Sequence, residues 1–170
     1  MNALPLPKRF DANEWFIIGG LIVGFVMVFP LRKKFPPSIG ILLLFVGLTF
    51  AKVMDVIVGF QPFNLYDLND SPQLEVTDVF LHFVYAPFGF VFIYLYERWR
   101  IRGISVIFYM LLYSLLGIGI EWIGVQMGVY HYKGWHLGYS YIVYLYMQCI
   151  LLLFYRLLVA QYRKTKRPNR

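Results

Sequence analysis

Residues Gly103 to Met127 read GISVIFYMLLYSLLGIGIEWIGVQM, an apolar run interrupted by a single charge, Glu121. About 20 such residues carry a helix across the hydrocarbon core of a bilayer. The stretch therefore predicts a transmembrane helix with a carboxylate inside it. An ionised side chain at mid-membrane costs at least ~2.5–3.5 kcal/mol on insertion scales, so Glu121 must pair, reach water or bind something.

Working outward, four more segments of the 170-residue chain qualify as spans: 15–31, 38–60, 79–99 and 139–159, alongside 103–127. The composition agrees. Hydrophobic residues make up 59% and charged residues 15%, against about 45–50% and 25% in soluble domains; the mean hydropathy is +0.60. A soluble globular domain, a disordered chain and a disulfide scaffold are excluded. The expected fold class is all-α, a polytopic membrane protein of five transmembrane helices forming one membrane domain over 1–170, with a basic tail at 160–170. No strand alternation suggests a barrel. The first span is the shortest and reads as tilted or partly interfacial. It ends in Pro30-Leu31-Arg32-Lys33-Lys34 rather than in a small-residue cleavage site, so no cleavable signal peptide is expected.

Basic residues set the orientation. Twelve of the sixteen Lys and Arg fall in the first and third loops and the tail, among them Arg32, Lys33, Lys34, Arg98, Arg100, Arg102 and Arg163. Three fall on the other side and Lys52 lies within a span. By the positive-inside rule the N-terminus is outside and the C-terminus cytoplasmic. The +7 charge is thus a topology signal, with attraction of the tail to anionic membrane lipids, and nucleic acid is not expected as a partner. Cys149, alone in an apolar run, allows no intrachain disulfide.

Three titratable groups share one depth beneath the outer surface. At 1.5 Å per residue, Asp55 is about 7.5 Å deep, Glu121 about 9 Å and His82 about 6 Å. Gly47, Ala51, Asp55 and Gly59 share a helix face, as do Asp78, His82, Ala86 and Gly89, while Gly117, Glu121, Gly124 and Gly128 follow similar steps. Ser140, Tyr144 and Gln148 form a hydrogen-bonding stripe. Small residues on such seams allow close helix packing. One reading is a structural network, Lys52 with Asp55 and Glu121 with a tyrosine hydroxyl or His82. The other is an outer-leaflet pocket in which Asp55, Asp78, His82 and Glu121 bind a ligand. Pro87 interrupts the third span and is expected to bend it.

Three chemistries are open at such a pocket. Asp78 and His82 at i, i+4, joined by Glu121, His131 and His136, form a candidate metal set of the kind that suits zinc, iron or manganese, although no His-Glu-x-x-His motif is present. A Ser140–His136 pair would suggest acyl transfer, without a supporting Gly-x-Ser-x-Gly motif. Glu121 as general acid or base would suit a lipid or isoprenoid substrate. Transport is not favoured, since no repeated halves are seen. Trp135 and the neighbouring tyrosines read as interfacial belt residues, and Asn69-Asp70-Ser71 matches a glycosylation acceptor.

From about Ser38 to Val159 the chain resembles a family of small, uncharacterised multi-pass membrane proteins of endospore-forming Gram-positive bacteria, known by a locus-tag label. The likeness rests on Gly119-Ile-Glu121, Gly128-Val-Tyr130, Trp135, Ser140 and Tyr144, with Asp55-Val-Ile in the second span and Asp78 opening the third. One residue separates Gly119 from Glu121 here, and the step from Asp78 to Pro87 is longer than the family's, so His82 is not carried over. The resemblance implies a bacterial cytoplasmic-membrane location and importance for Asp55 and Glu121, and no activity. Trp135, Ser140 and Tyr144 join the binding candidates. Three roles follow as expectations: a binder of a small polar or lipid-like ligand, an intramembrane enzyme using Glu121, or a structural subunit of a homo-oligomer or a complex with a membrane partner.

Overall fold

The computed structural model describes residues 4, 7, 10–59, 62–70 and 74–166. The chain runs α1 (Ala12–Leu31), a 3-10 turn (Arg32–Lys34), α2 (Pro37–Val58), β1 (Tyr66–Leu68), α3 (Val76–Arg98), α4 (Ser105–Gln126), β2 (Tyr130–Tyr132) and α5 (Leu137–Lys166). Among the described residues these five helices are each long and apolar enough to cross a membrane. At 1.5 Å per residue, α2 and α4 extend about 33 Å, matching a hydrocarbon core of about 30 Å. Outward side chains of the helices are apolar, with Ile22 of α1, Phe45 of α2, Phe108 and Leu112 of α4 and Leu157 of α5 exposed, as lipid contact requires.

Local chemistry sets the ends. Capping boxes open α1 and α3: Glu14 Oε2 accepts from the Asp11 backbone N–H at 2.9 Å, and Asp78 Oδ2 from that of Glu75 at 2.7 Å. Pro37 opens α2, where its missing N–H is not needed. Gly128 closes α4 in the left-handed region, at φ 78°, so that Val129 N–H reaches back to Gly124 O at 2.9 Å. α5 runs past the expected limit at Val159 to Lys166, because helix-forming polar residues extend a helix that hydropathy alone ends at the membrane edge. α1 is a continuous helix with Pro30 near its end.

α3 is the most enclosed helix, packed by α1, α2 and α5, while α5 also packs on α2 and α4. Two buried apolar clusters result. One, around Phe35, Leu43, Phe90, Ile93, Tyr109 and Leu151, holds the end toward the basic loops. The other, around Ile17, Val58, Tyr66, Leu81 and Val129, lies under the strands. Those strands have no counterpart among the elements expected from the sequence. Tyr66–Leu68, between α2 and α3, and Tyr130–Tyr132, between α4 and α5, meet as a two-stranded antiparallel ribbon, Tyr66 opposite Tyr132 and Leu68 opposite Tyr130. This ribbon roofs one end of the bundle.

Candidate functional site

Glu121, 7% exposed on α4, accepts hydrogen bonds from three hydroxyls. Ser140 donates to Oε1 at 2.6 Å, Tyr144 to Oε2 at 2.5 Å, and Tyr132 of β2 also to Oε1. Ser140 and Tyr144, four apart, face the same way from α5. Trp135 fixes Ser140 by donating its indole N–H to Oγ at 2.7 Å. The neighbouring glycines make room for rings: a Cβ at Gly117 would lie 3.1 Å from the Tyr144 ring and one at Gly124 would lie 3.0 Å from that of Tyr130. The small residues flanking Glu121 are seats for tyrosines.

Asp55 supplies a second carboxylate from the last turn of α2. Tyr66 of β1 donates its hydroxyl to Oδ1, and His82 Nε2 of α3 lies 2.7 Å from Oδ2, at an angle that misses hydrogen-bond geometry. Tyr85 and Tyr130 are hydrogen-bonded through their hydroxyls beside them. Asp55 and Glu121 both line one cavity of about 140 Å3 between α2, α3, α4 and α5. Its roof is aromatic: the Tyr66 ring stands edge-on to Trp135 at 5.9 Å and to Tyr130 at 6.4 Å. No Lys or Arg is among its lining residues. Burial pushes the hydroxyls of Tyr66, Tyr130 and Tyr132 well above the usual tyrosine range, reinforced at Tyr66 by Asp55, at Tyr130 by Tyr85 and at Tyr132 by Glu121. The roof hydroxyls are neutral donors.

A second cavity of about 340 Å3 lies between α1, α3 and α4, lined by Gly20, Gly24, Met27, Pro87 and Ile120. Glu121, Tyr85, Tyr130 and Tyr144 border both cavities. Pro87 thus belongs to a cavity wall inside an otherwise continuous α3.

The fold brings Asp55, Glu121, Trp135, Ser140 and Tyr144 around one space, and His82 stands behind Asp55, outside that wall. Asp78 is elsewhere. Its carboxylate serves the α3 cap and accepts from Asn69 Nδ2 at 2.6 Å, and Asn69 Oδ1 accepts from Asn13 at 3.3 Å. A helix-opening acid is consumed by its own exposed N–H groups. Asn69 is 1% exposed with its amide nitrogen engaged, so it is not presented as a glycosylation acceptor. The metal set does not assemble: His131 and His136 are exposed, and among the described residues no three His, Cys, Asp or Glu side chains gather around one point. His136 accepts from Gly138 N–H and stacks on Tyr139, while Ser140 bonds to Trp135 and Glu121. Lys52 forms no ion pair with Asp55; that carboxylate turns to Tyr66 and His82.

Tyr66, Tyr85 and Tyr132 were not distinguishable from belt aromatics, and Tyr130 stood out only within the family resemblance. The one local signal is alternation, Tyr66-x-Leu68 and Tyr130-x-Tyr132, across segments too short to declare strands. Comparisons with protein-family models, curated proteins and solved structures return no match.

Proposed function

We propose that this integral membrane protein binds a small polar or lipid-like ligand in the roofed cavity. One observation carries the reading: Asp55 and Glu121, from different helices, line the same apolar cavity although carboxylates at this depth are costly. A purely structural carboxylate needs partners but no adjoining space. Pockets for small ligands are apolar with a few convergent polar groups, and this one has two carboxylates beneath four aromatic side chains. The asymmetry of basic residues supports an outward-facing ribbon end. The resemblance to the endospore-former family, and with it a bacterial cytoplasmic-membrane location, belongs to the same proposal.

The other roles find less support. Glu121 already accepts three hydrogen bonds, which leaves it poorly placed to exchange a proton with a substrate. Gly117 and Gly124 beside it seat tyrosine rings rather than a partner's helix. Native mass spectrometry of gently extracted protein, wild type beside Glu121→Gln, tests the proposal. An added mass held by the wild type and lost from the folded variant is the expected result; a bare protein in both overturns it.

A further inference from the structure

Around the cavity beneath the ribbon, nearly every donor is spent within the wall. The hydroxyls of Tyr66, Tyr132, Tyr144 and Ser140 donate to the two carboxylates, Tyr113 donates to Phe88 O at 2.8 Å, and Trp135 donates to Ser140. The Tyr85–Tyr130 pair keeps one hydroxyl hydrogen, and the Gln148 amide, which donates to Ser114 at 2.8 Å, keeps one N–H. What lacks a well-formed hydrogen bond is mostly acceptor. Asp55 Oδ2 has no hydrogen bond of good geometry, and Gln148 Oε1, on a side chain 5% exposed, has no partner among the described residues. Gln148 lies eight residues below Ser140 on α5, about 12 Å at 1.5 Å per residue. Both residues border the space, Asp55 at its mouth with Oδ2 turned to His82 and Gln148 at depth, and neither of these two oxygens is itself exposed to it. Between these levels on α5 the space is bounded by Val143, Tyr144 and Met147.

Charge points the same way. The lining holds two carboxylates and no Lys or Arg, with only His82 behind Asp55 as a basic group. A phosphate or carboxylate would meet like charge, and a buried charge without a partner is strongly disfavoured. Aromatic faces next to carboxylates attract cations by ring quadrupole and by charge together. A protonated amine meets all three conditions: it is positive, it carries several donors and it fits beneath rings.

Resting on the reading that this cavity binds a ligand, we infer that the ligand is an aliphatic amine. Its ammonium group sits between Asp55 and Glu121 under Tyr66, Tyr132 and Trp135, and its chain lies against Phe50, Val143 and Met147 between α2 and α5. The amine can be a lipid head group or a free small molecule, since the same contacts recognise both.

The test uses the full chain in phosphatidylcholine nanodiscs and four probes: dodecylamine, dodecanol, dodecanoate and butylamine. Dodecylamine is expected to bind roughly tenfold or more tightly than dodecanol and dodecanoate, the scale of one charge-assisted hydrogen bond. Val143→Phe, which fills the cavity from α5 and leaves both carboxylates in place, is expected to abolish that binding. Its thermal unfolding is followed in parallel, and the wild-type comparison of probes stands whether or not it folds. Butylamine binding as tightly as dodecylamine supports a free amine as the source; butylamine binding much more weakly supports an amphiphile. Dodecanol or dodecanoate binding as tightly as dodecylamine overturns the amine inference while leaving the cavity reading intact. Binding of none of the four also overturns it, and the native mass comparison then decides separately whether the cavity holds anything.

Discussion

His82 Nε2 stands 2.7 Å from Asp55 Oδ2, tying the first turns of α3 to the last turn of α2 directly beneath the ribbon. Both residues are buried, and neither of these two atoms has a hydrogen-bond partner among the described residues. Leaving one of two such buried polar groups without the other costs about 1–3 kcal/mol, more than removing both partners. His82→Leu is therefore expected to lower stability by that amount, and adding Asp55→Asn to recover a good part of it. A double-mutant cycle by denaturant unfolding measures the coupling; additive effects would show that the two side chains do not interact.

Glu121 and its three hydroxyl donors make a similar contrast. Glu121→Leu leaves Tyr132, Ser140 and Tyr144 without their acceptor, and an unsatisfied buried donor costs about 1–3 kcal/mol. The expected loss is at least about 3 kcal/mol, against about 1–3 kcal/mol for Tyr144→Phe, which removes one hydrogen bond to a charged group. Thermal unfolding of both variants in one detergent gives the ranking. Equal losses would mean that the donors find other partners.

Among the glycines, a Cβ at Gly47 would lie 3.1 Å from Ala86 Cα and from Tyr85 O, both backbone atoms of α3. Backbone cannot give way as a side chain does, so Gly47→Ala is expected to cost about 1–3 kcal/mol, the range for overpacking. A Cβ at Gly119 meets nothing within 4 Å. Gly119→Ala is expected to be neutral or to stabilise by up to about 1 kcal/mol, through helix propensity. Melting temperatures of the two variants separate close helix packing from conformational freedom.

The ribbon tyrosines predict an alkaline limit. In the unfolded chain tyrosine ionises near pH ~10, and burial raises Tyr66, Tyr130 and Tyr132 above that value. Above pH ~10 the unfolded chain therefore binds fewer protons than the folded one, and stability falls as pH rises. Below that pH their contribution is whole; it is lost as pH climbs toward the raised values. Tyrosinate absorbance should lag behind that of the denatured protein and rise together with unfolding. Ionisation of all tyrosines before any loss of structure would contradict the buried roof.

The five spans were legible because each is a long apolar run, and a bilayer demands such runs whatever the sequence order. Glu121 and Asp55 stood out for the same reason, as charges where charge is costly. Asp78 misled because depth along a helix does not say which way a carboxylate turns. At the first turn of α3 the free N–H of Glu75 claims it. The metal candidates misled likewise, since spacing along the chain does not bring His131 or His136 off the surface.

By itself the sequence determined a helical membrane protein with carboxylates at one end of its spans, for hydropathy and burial cost are properties of each segment alone. Only the tertiary structure decided that β1 and β2 pair into a roof, that Tyr66, Tyr132 and Tyr144 turn their hydroxyls onto Asp55 and Glu121, and that both acids border one space. Those are contacts between residues remote in sequence. Their energy comes from short-range packing and hydrogen bonding, which no local pattern records.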